Sequence, residues 1–200
     1  MKRILAIALS ATLFIACGSD DDDEGNDAPT LTTAAEINAY LAGKTWVMTG
    51  ADIPGFPLGI NENMNAGAAT QCINRTTIQS SSPWTVTTQL GTLSGAPNPL
   101  DVGTCDNATA AGSPLTFTTQ SVLIENVEGN ADCFDVFINY GSFQQEGRAD
   151  ISDDGRTMRL EIFFAGQATG ADCASGNVGS GGILRGGAAV TDAIQVYRLQ

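Results

Sequence analysis

Histidine is absent from the 200 residues, and that omission removes the usual general base, the commonest metal ligand and any Ser-His-Asp arrangement. No serine stands in a Gly-x-Ser-x-Gly elbow. Carboxylates are what remain. Asp150, Ser152, Asp154 and Glu161 fall at positions 1, 3, 5 and 12 of one window, with Gly155 at position 6, which is the oxygen spacing of a calcium loop. An EF-hand needs a helix on each side, whereas Met158 to Phe164 alternates as a strand and Gly147-Arg148-Ala149 starts a helix poorly. Asp153-Asp154-Gly155 therefore reads as the turn of a β-hairpin, with calcium on it a weak candidate. A glycan hydrolase would need two acids about 5 to 9.5 Å apart in a cleft, and spacing announces no such pair. The glycine-rich stretch GNVGSGGILRGG, residues 176–187, follows no strand of a βαβ unit and lacks a P-loop lysine, so it reads as a flexible loop. No motif implies a cofactor, and a non-enzyme is the expectation.

Cysteine is the other reactive residue type, and the five cysteines divide into one plus four. The first 16 residues have a basic start at Lys2 and Arg3, an apolar core from Ile4 to Ile15 and a small Ala16, the parts of an export signal. That core is shorter than the roughly 20 apolar residues a membrane-crossing helix needs. Phe14-Ile15-Ala16-Cys17 resembles the lipobox of bacterial lipoproteins, with Phe14 where that family prefers leucine. The resemblance implies cleavage before Cys17, acylation of its sulfur and a covalent lipid as the link to the membrane. Cys72, Cys105, Cys133 and Cys173 are then an even set in an exported chain, which reads as two disulfides. Three pairings are open; loops of intermediate length favour Cys72 with Cys105 and Cys133 with Cys173. With no C-x-x-C pair and no histidine, the four are a poor zinc set.

Residues 17–32 carry no apolar period and read as an acidic, disordered tether that like charges extend. Six of the 22 acidic residues stand there. The Ser19 to Asp23 run resembles the acidic signals that send some lipoproteins to the outer face of the outer membrane. Gly18, where an aspartate would be needed, leaves the inner-membrane retention signal unmatched. The implied address is the bacterial cell envelope, lipid-anchored at the outer membrane. A net charge of −13 repels nucleic acid and anionic lipid surfaces, so attachment must come from acyl chains.

Residues 33–200 have the length of one domain. Thr33 and Glu36 have capping-box spacing, Ile37, Tyr40 and Leu41 share a helical face, and Gly43 can end the turn, which predicts one short helix. Past it the period becomes two. Strands are expected at 44–49, around Trp84, Val86, Thr88 and Leu90, around Phe134, Val136, Ile138 and Tyr140, at 157–164 and at 193–199. Weaker ones are expected at 73–79, 115–124 and 147–152. Seven to nine antiparallel strands give an all-β fold, a single barrel or a sandwich, with the helix at its N-terminal side.

Gly43 and Trp46 at the first strand, and Arg198 on the last, resemble the ends of lipocalin-like proteins, although those have one residue between glycine and tryptophan and here there are two. The resemblance implies that Trp46 plugs the barrel base with the Arg198 guanidinium across its ring. It also makes the long segment from Gly50 to Gln71 the loop over a ligand mouth, lined by Ile53, Phe56, Leu58, Ile60 and Met64. The leading expectation is an envelope lipoprotein holding a small apolar ligand. A structural or adhesive module contacting another envelope component comes second, and a carboxylate-dependent glycan hydrolase third.

Overall fold

The computed structural model describes residues 28–54, 71–94, 104–106, 114–190 and 193–200. Cys17, the signal segment, nearly all of the acidic tether, and Phe56, Leu58, Ile60 and Met64 lie outside them. The fold is all-β with one helix. Helix α1 (Ala34–Leu41) begins with the expected capping box: Thr33 accepts from the Glu36 backbone and the Glu36 carboxylate accepts from the Thr33 N–H. Its buried face is Ile37 and Leu41.

Strands follow as β1 (Thr45–Thr49), β2 (Gln71–Gln79), β3 (Thr85–Ser94), β4 (Thr104–Asp106), β5 (Leu115–Thr118), β6 (Ser121–Glu128), β7 (Cys133–Asn139), β8 (Gln144–Ile151) and β9 (Thr157–Phe164). Three two-residue strands come next, β10 (Ala168–Thr169), β11 (Leu184–Arg185) and β12 (Ala188–Ala189), before β13 (Gln195–Leu199). The main sheet runs β4-β3-β2-β1-β13-β9-β8-β7-β6, every pairing antiparallel, and β5 adds to β3. It curls into a half-barrel, the barrel-like alternative of the two architectures expected.

The segment expected as a single strand from residue 115 breaks where it changes partners. Thr119 N–H donates to Trp84 O (2.9 Å), beside β3, and the next residue, Gln120, donates to Asn139 O (2.7 Å), at the end of β7. These adjacent residues hand the ladder from one sheet edge to the other. Helix α1 covers one end. It packs against β6; Tyr40 Oη donates to Gly155 O in the β8–β9 turn (2.7 Å); and Ser80, in the β2–β3 turn, donates its N–H to Lys44 O (3.0 Å). Gly155 has φ +70°, and a Cβ there would lie 2.2 Å from the Tyr40 hydroxyl, so the turn needs glycine for both conformation and space.

Period-two alternation sorts the side chains. Trp46, Met48, Ile78, Phe134, Val136, Ile138, Met158, Leu160 and Ile162 enter one buried cluster inside the curl, joined by Ile37 and Leu41 from α1. The physical cause is the strand's own geometry, which sends successive Cβ atoms to opposite faces.

Candidate functional site

Every buried charged side chain among the described residues, Arg148, Asp150 and Glu161, is on an outward position of β8 or β9. Among the described residues, the buried polar groups on the inner face are neutral. Thr76 and Thr88 are register partners on β2 and β3, both buried, with hydroxyls 3.1 Å apart. Met48 pairs with Thr76 on the other side, and Tyr197 pairs with Met158. The Tyr197 hydroxyl donates to Gln195 Oε1 (2.8 Å), so β13 contributes a phenol and an amide to the interior. Burial raises the Tyr197 pKa, with the neighbouring Tyr140 adding to the shift. Burial also pushes Tyr140 up to about 12, so both phenols stay neutral donors at ordinary pH.

Tyr140 links this band to an aromatic group at the end opposite α1. Its ring stacks on Phe143 at 4.5 Å; Phe117 lies 5.4 Å from Phe143 and 6.0 Å from Tyr140; Phe164 meets Phe143 edge-on at 5.5 Å. Such pairs each contribute about 0.5 to 1.5 kcal/mol beyond area burial. Phe143 and Phe164 also wall a cleft of about 440 Å³ with Ser142, Gln144 and Gln167, none of them charged. An uncharged, hydroxyl-bearing interior beside an aromatic rim suits a neutral ligand with an apolar face.

The two residues expected to close the base are placed on opposite faces of the sheet. Trp46 is fully buried with Tyr40 at 6.5 Å between ring centroids, and its Nε1 meets no acceptor among the described residues. Arg198 is not across that ring. Its register partner is Val47, so it points to the outer face, where it is exposed and pairs with Asp52 (3.0 Å). One step of strand parity separates the two outcomes. The cation that does lie over a ring at this base is Lys44, with Nζ 4.2 Å from the Tyr40 centroid. Ile53, expected as ligand lining, is buried in the main cluster.

The four calcium candidates are divided among other partners. Asp150 accepts three hydrogen bonds from Arg159, from Nε at 2.9 and 3.0 Å to its two oxygens and from a terminal guanidinium nitrogen to Oδ2. Glu161 accepts from Arg148 Nε (2.8 Å) and Gly179 N (3.1 Å). Ser152 and Asp154 bond to each other in the hairpin turn, where Asp154 also accepts from Arg156 N (2.9 Å). No group of acids or cysteines that could hold a metal forms among the described residues. The hairpin reading of Asp153-Asp154-Gly155 matches the observed β8–β9 turn.

The glycine-rich stretch is seated rather than loose. Arg148, fully buried, reaches out of β8 to donate to Gly176 O and to Gly181 O (3.1 Å), and Glu161 receives Gly179 N–H. Cys133 bonds to Cys173, one of the favoured pairings, and ties the start of this stretch to β7. Val178 and Ile183 are buried beneath it. Sequence reading missed Arg148 because nothing in its neighbours tells a surface arginine from one that a distant loop will cover. Cys72 and Cys105 stand on β2 and β4, the strands flanking β3, and their expected pairing lies outside the described side chains. The exposed large apolar side chains among the described residues, Leu123 and Leu184, stand on separate elements. No helix among the described residues is long and apolar enough to cross a membrane. No protein-family model, curated protein or solved structure matches the chain.

Proposed function

We propose that this protein is a non-enzymatic, lipid-anchored binding protein of the bacterial envelope that holds a small neutral ligand inside its curled sheet. The observation that carries the ligand reading is the segregation of charge: buried Arg148, Asp150 and Glu161 all face outward, while Thr76, Thr88, Tyr140, Gln195 and Tyr197 offer only neutral hydroxyl and amide groups inward. A charged ligand would find no counter-ion among the described residues of that face, and burying a lone charge is prohibitive. The anchor reading rests on the lipobox resemblance at Cys17 and on a net charge of −13 that disfavours electrostatic attachment to anionic lipid.

Native mass spectrometry of the protein extracted from its own membrane tests both halves. The expected spectrum shows acyl mass on Cys17 and a bound neutral species of a few hundred daltons. A chain without acyl mass removes the anchor. In a separate titration with the neutral fluorophore N-phenylnaphthylamine, the whole chain carrying Cys17→Ser should bind saturably with about one site. Failure to saturate removes the ligand reading.

A further inference from the structure

We propose that the cleft between the β7–β8 turn and the β9–β10 turn is a surface site for a neutral saccharide. This goes beyond the interior ligand reading and does not depend on it. The lips are residues 141–143 and 165–167, and Ser142, Phe143, Gln144, Phe164 and Gln167 line the space between them. Its volume of about 440 Å³ falls within the roughly 300 to 1,000 Å³ of small-molecule sites. The cleft is open rather than enclosed. A purely apolar molecule needs most of its surface covered, which an open cleft does not provide. The ligand that gains from this one combines an apolar face with several hydrogen-bonding groups on a rigid frame, and that is the chemistry of a sugar ring.

Charge narrows the class. The chain carries 22 acidic residues, yet among the described residues no charged side chain lines this cleft. Glu146 and Arg185 serve it from outside: Glu146 Oε1 accepts the Gly166 N–H (2.7 Å), and Arg185 donates to Gln167 Oε1 (3.3 Å). With that oxygen occupied, Gln167 presents its amide N–H donors, while Ser142 and Gln144 bring both donors and acceptors. A sugar acid meets no counter-ion in such a lining, and a neutral sugar needs none. With no carboxylate pair among the described lining residues, the site holds a glycan without cleaving it.

Both lips are fixed before any ligand arrives. Tyr140 N–H donates to Phe143 O, Ala165 N–H to Gln144 O and Gln167 N–H to Phe164 O, each at 3.0 Å. Phe143 stacks on Tyr140 at 4.5 Å and meets Phe117 and Phe164 edge to face, so the aromatic wall is braced by its neighbours. The weakly positive C–H groups on one side of a sugar ring settle on the negative face of an aromatic ring. A wall already in place spares the ordering cost that would otherwise consume so weak an attraction.

Backbone amide shifts in nuclear magnetic resonance read the site directly. The isotope-labelled whole chain carrying Cys17→Ser is titrated with maltotetraose, cellotetraose, laminaritetraose and N-acetylchitotetraose, and with tetragalacturonic acid as the charged counterpart. At least one neutral sugar should shift the amides of residues 141–144 and 165–167 saturably, with a Kd of about 0.1 to 5 mM, and the acid should not. Phe143→Leu, which keeps apolar bulk and removes the flat ring, should weaken binding at least about fivefold. Gln144→Ala and Gln167→Ala, both at exposed positions, should each weaken it about threefold to tenfold. Each variant is checked for an unchanged near-ultraviolet circular dichroism spectrum, and the two glutamine variants carry the test should Phe143→Leu unfold. No saturable shift at these amides with any neutral sugar up to about 10 mM overturns the site. So does affinity within about twofold of the parent in every folded variant, or an equal response to the acid. Uptake of N-phenylnaphthylamine without any sugar response removes this site alone, and sugar binding without uptake of the fluorophore removes only the interior reading.

Discussion

On one side of β9 stand Met158, Leu160, Ile162 and Phe164, and on the other Arg159 and Glu161. Met158, Leu160 and Ile162 join the apolar cluster, whose polar neighbours are neutral and bonded to one another, and Phe164 meets Phe143 at the far end. The outer side, with Arg148 and Asp150 from β8, is built from ion pairs, a disulfide and the backbone of a glycine-rich stretch. Burial on the inside is stabilising in itself, because apolar area leaves water. Burial of Arg148 and Glu161 is costly unless every donor and acceptor is met. The lesson is that the outer layer selects one arrangement of residues 173–183, while the inner layer supplies most of the stability.

Paired substitutions break that comparison most sharply. Phe134→Ala should cost about 3 to 5 kcal/mol in urea denaturation, with no second change restoring it. Arg148→Ala should cost a similar 3 to 5 kcal/mol because Glu161 is left buried and unpaired. The double replacement Arg148→Met with Glu161→Leu should recover most of that loss; if it does not, the outer pair is a stabilising element in its own right. Removing the Cys133–Cys173 bridge as the double alanine variant should cost about 3 to 4 kcal/mol for a sequence separation of 40. Hydrogen exchange should then quicken across residues 174–183 more than across β7, and uniform quickening would contradict a separate outer layer.

Alkaline titration reads the inner side through its phenols. Tyr140 is held protonated up to about 12, and Tyr197 is also raised, both by burial. In the unfolded chain both ionise near pH 10. Their contribution to stability is therefore full below pH 10 and is lost as pH rises from there toward 12, at about 1.4 kcal/mol per pH unit for each phenol. Tyrosinate absorbance should appear together with unfolding; ionisation of all three tyrosines well before unfolding would show the interior to be wetter than the packing implies. The smallest effect is at the cap: Thr33→Ala should cost about 1 kcal/mol, measured by thermal melting, since the helix keeps its packing through Ile37 and Leu41.

Much of the inner side was legible in the chain. Thr33 and Glu36 announce the helix start, and the alternation from Thr157 to Phe164 names which residues of β9 face inward, because capping and strand parity act within a few residues. The small strands β4 and β10 to β12 were not visible, since two or three residues carry no period. The break at Thr119 and Gln120 was hidden too, because an uninterrupted alternating run does not say where its partner changes. Arg198 faces outward, against the lipocalin-like expectation, for a related reason: which face a residue takes depends on register against β1, not on its type.

Composition and spacing by themselves determined an all-β chain with one capped helix, an even set of four cysteines after Cys17, and no histidine-based chemistry. Those properties follow from residue identity or from contacts only a few positions long. The tertiary structure alone decided that Arg148 would vanish beneath Gly176 and Gly181, that Cys133 would meet Cys173, and that Phe117 would face Phe143 across a gap without strand pairing. Each of these joins residues more than 20 positions apart. Such partners are chosen by the curl and register of the whole sheet, and local side-chain preference carries no record of that choice.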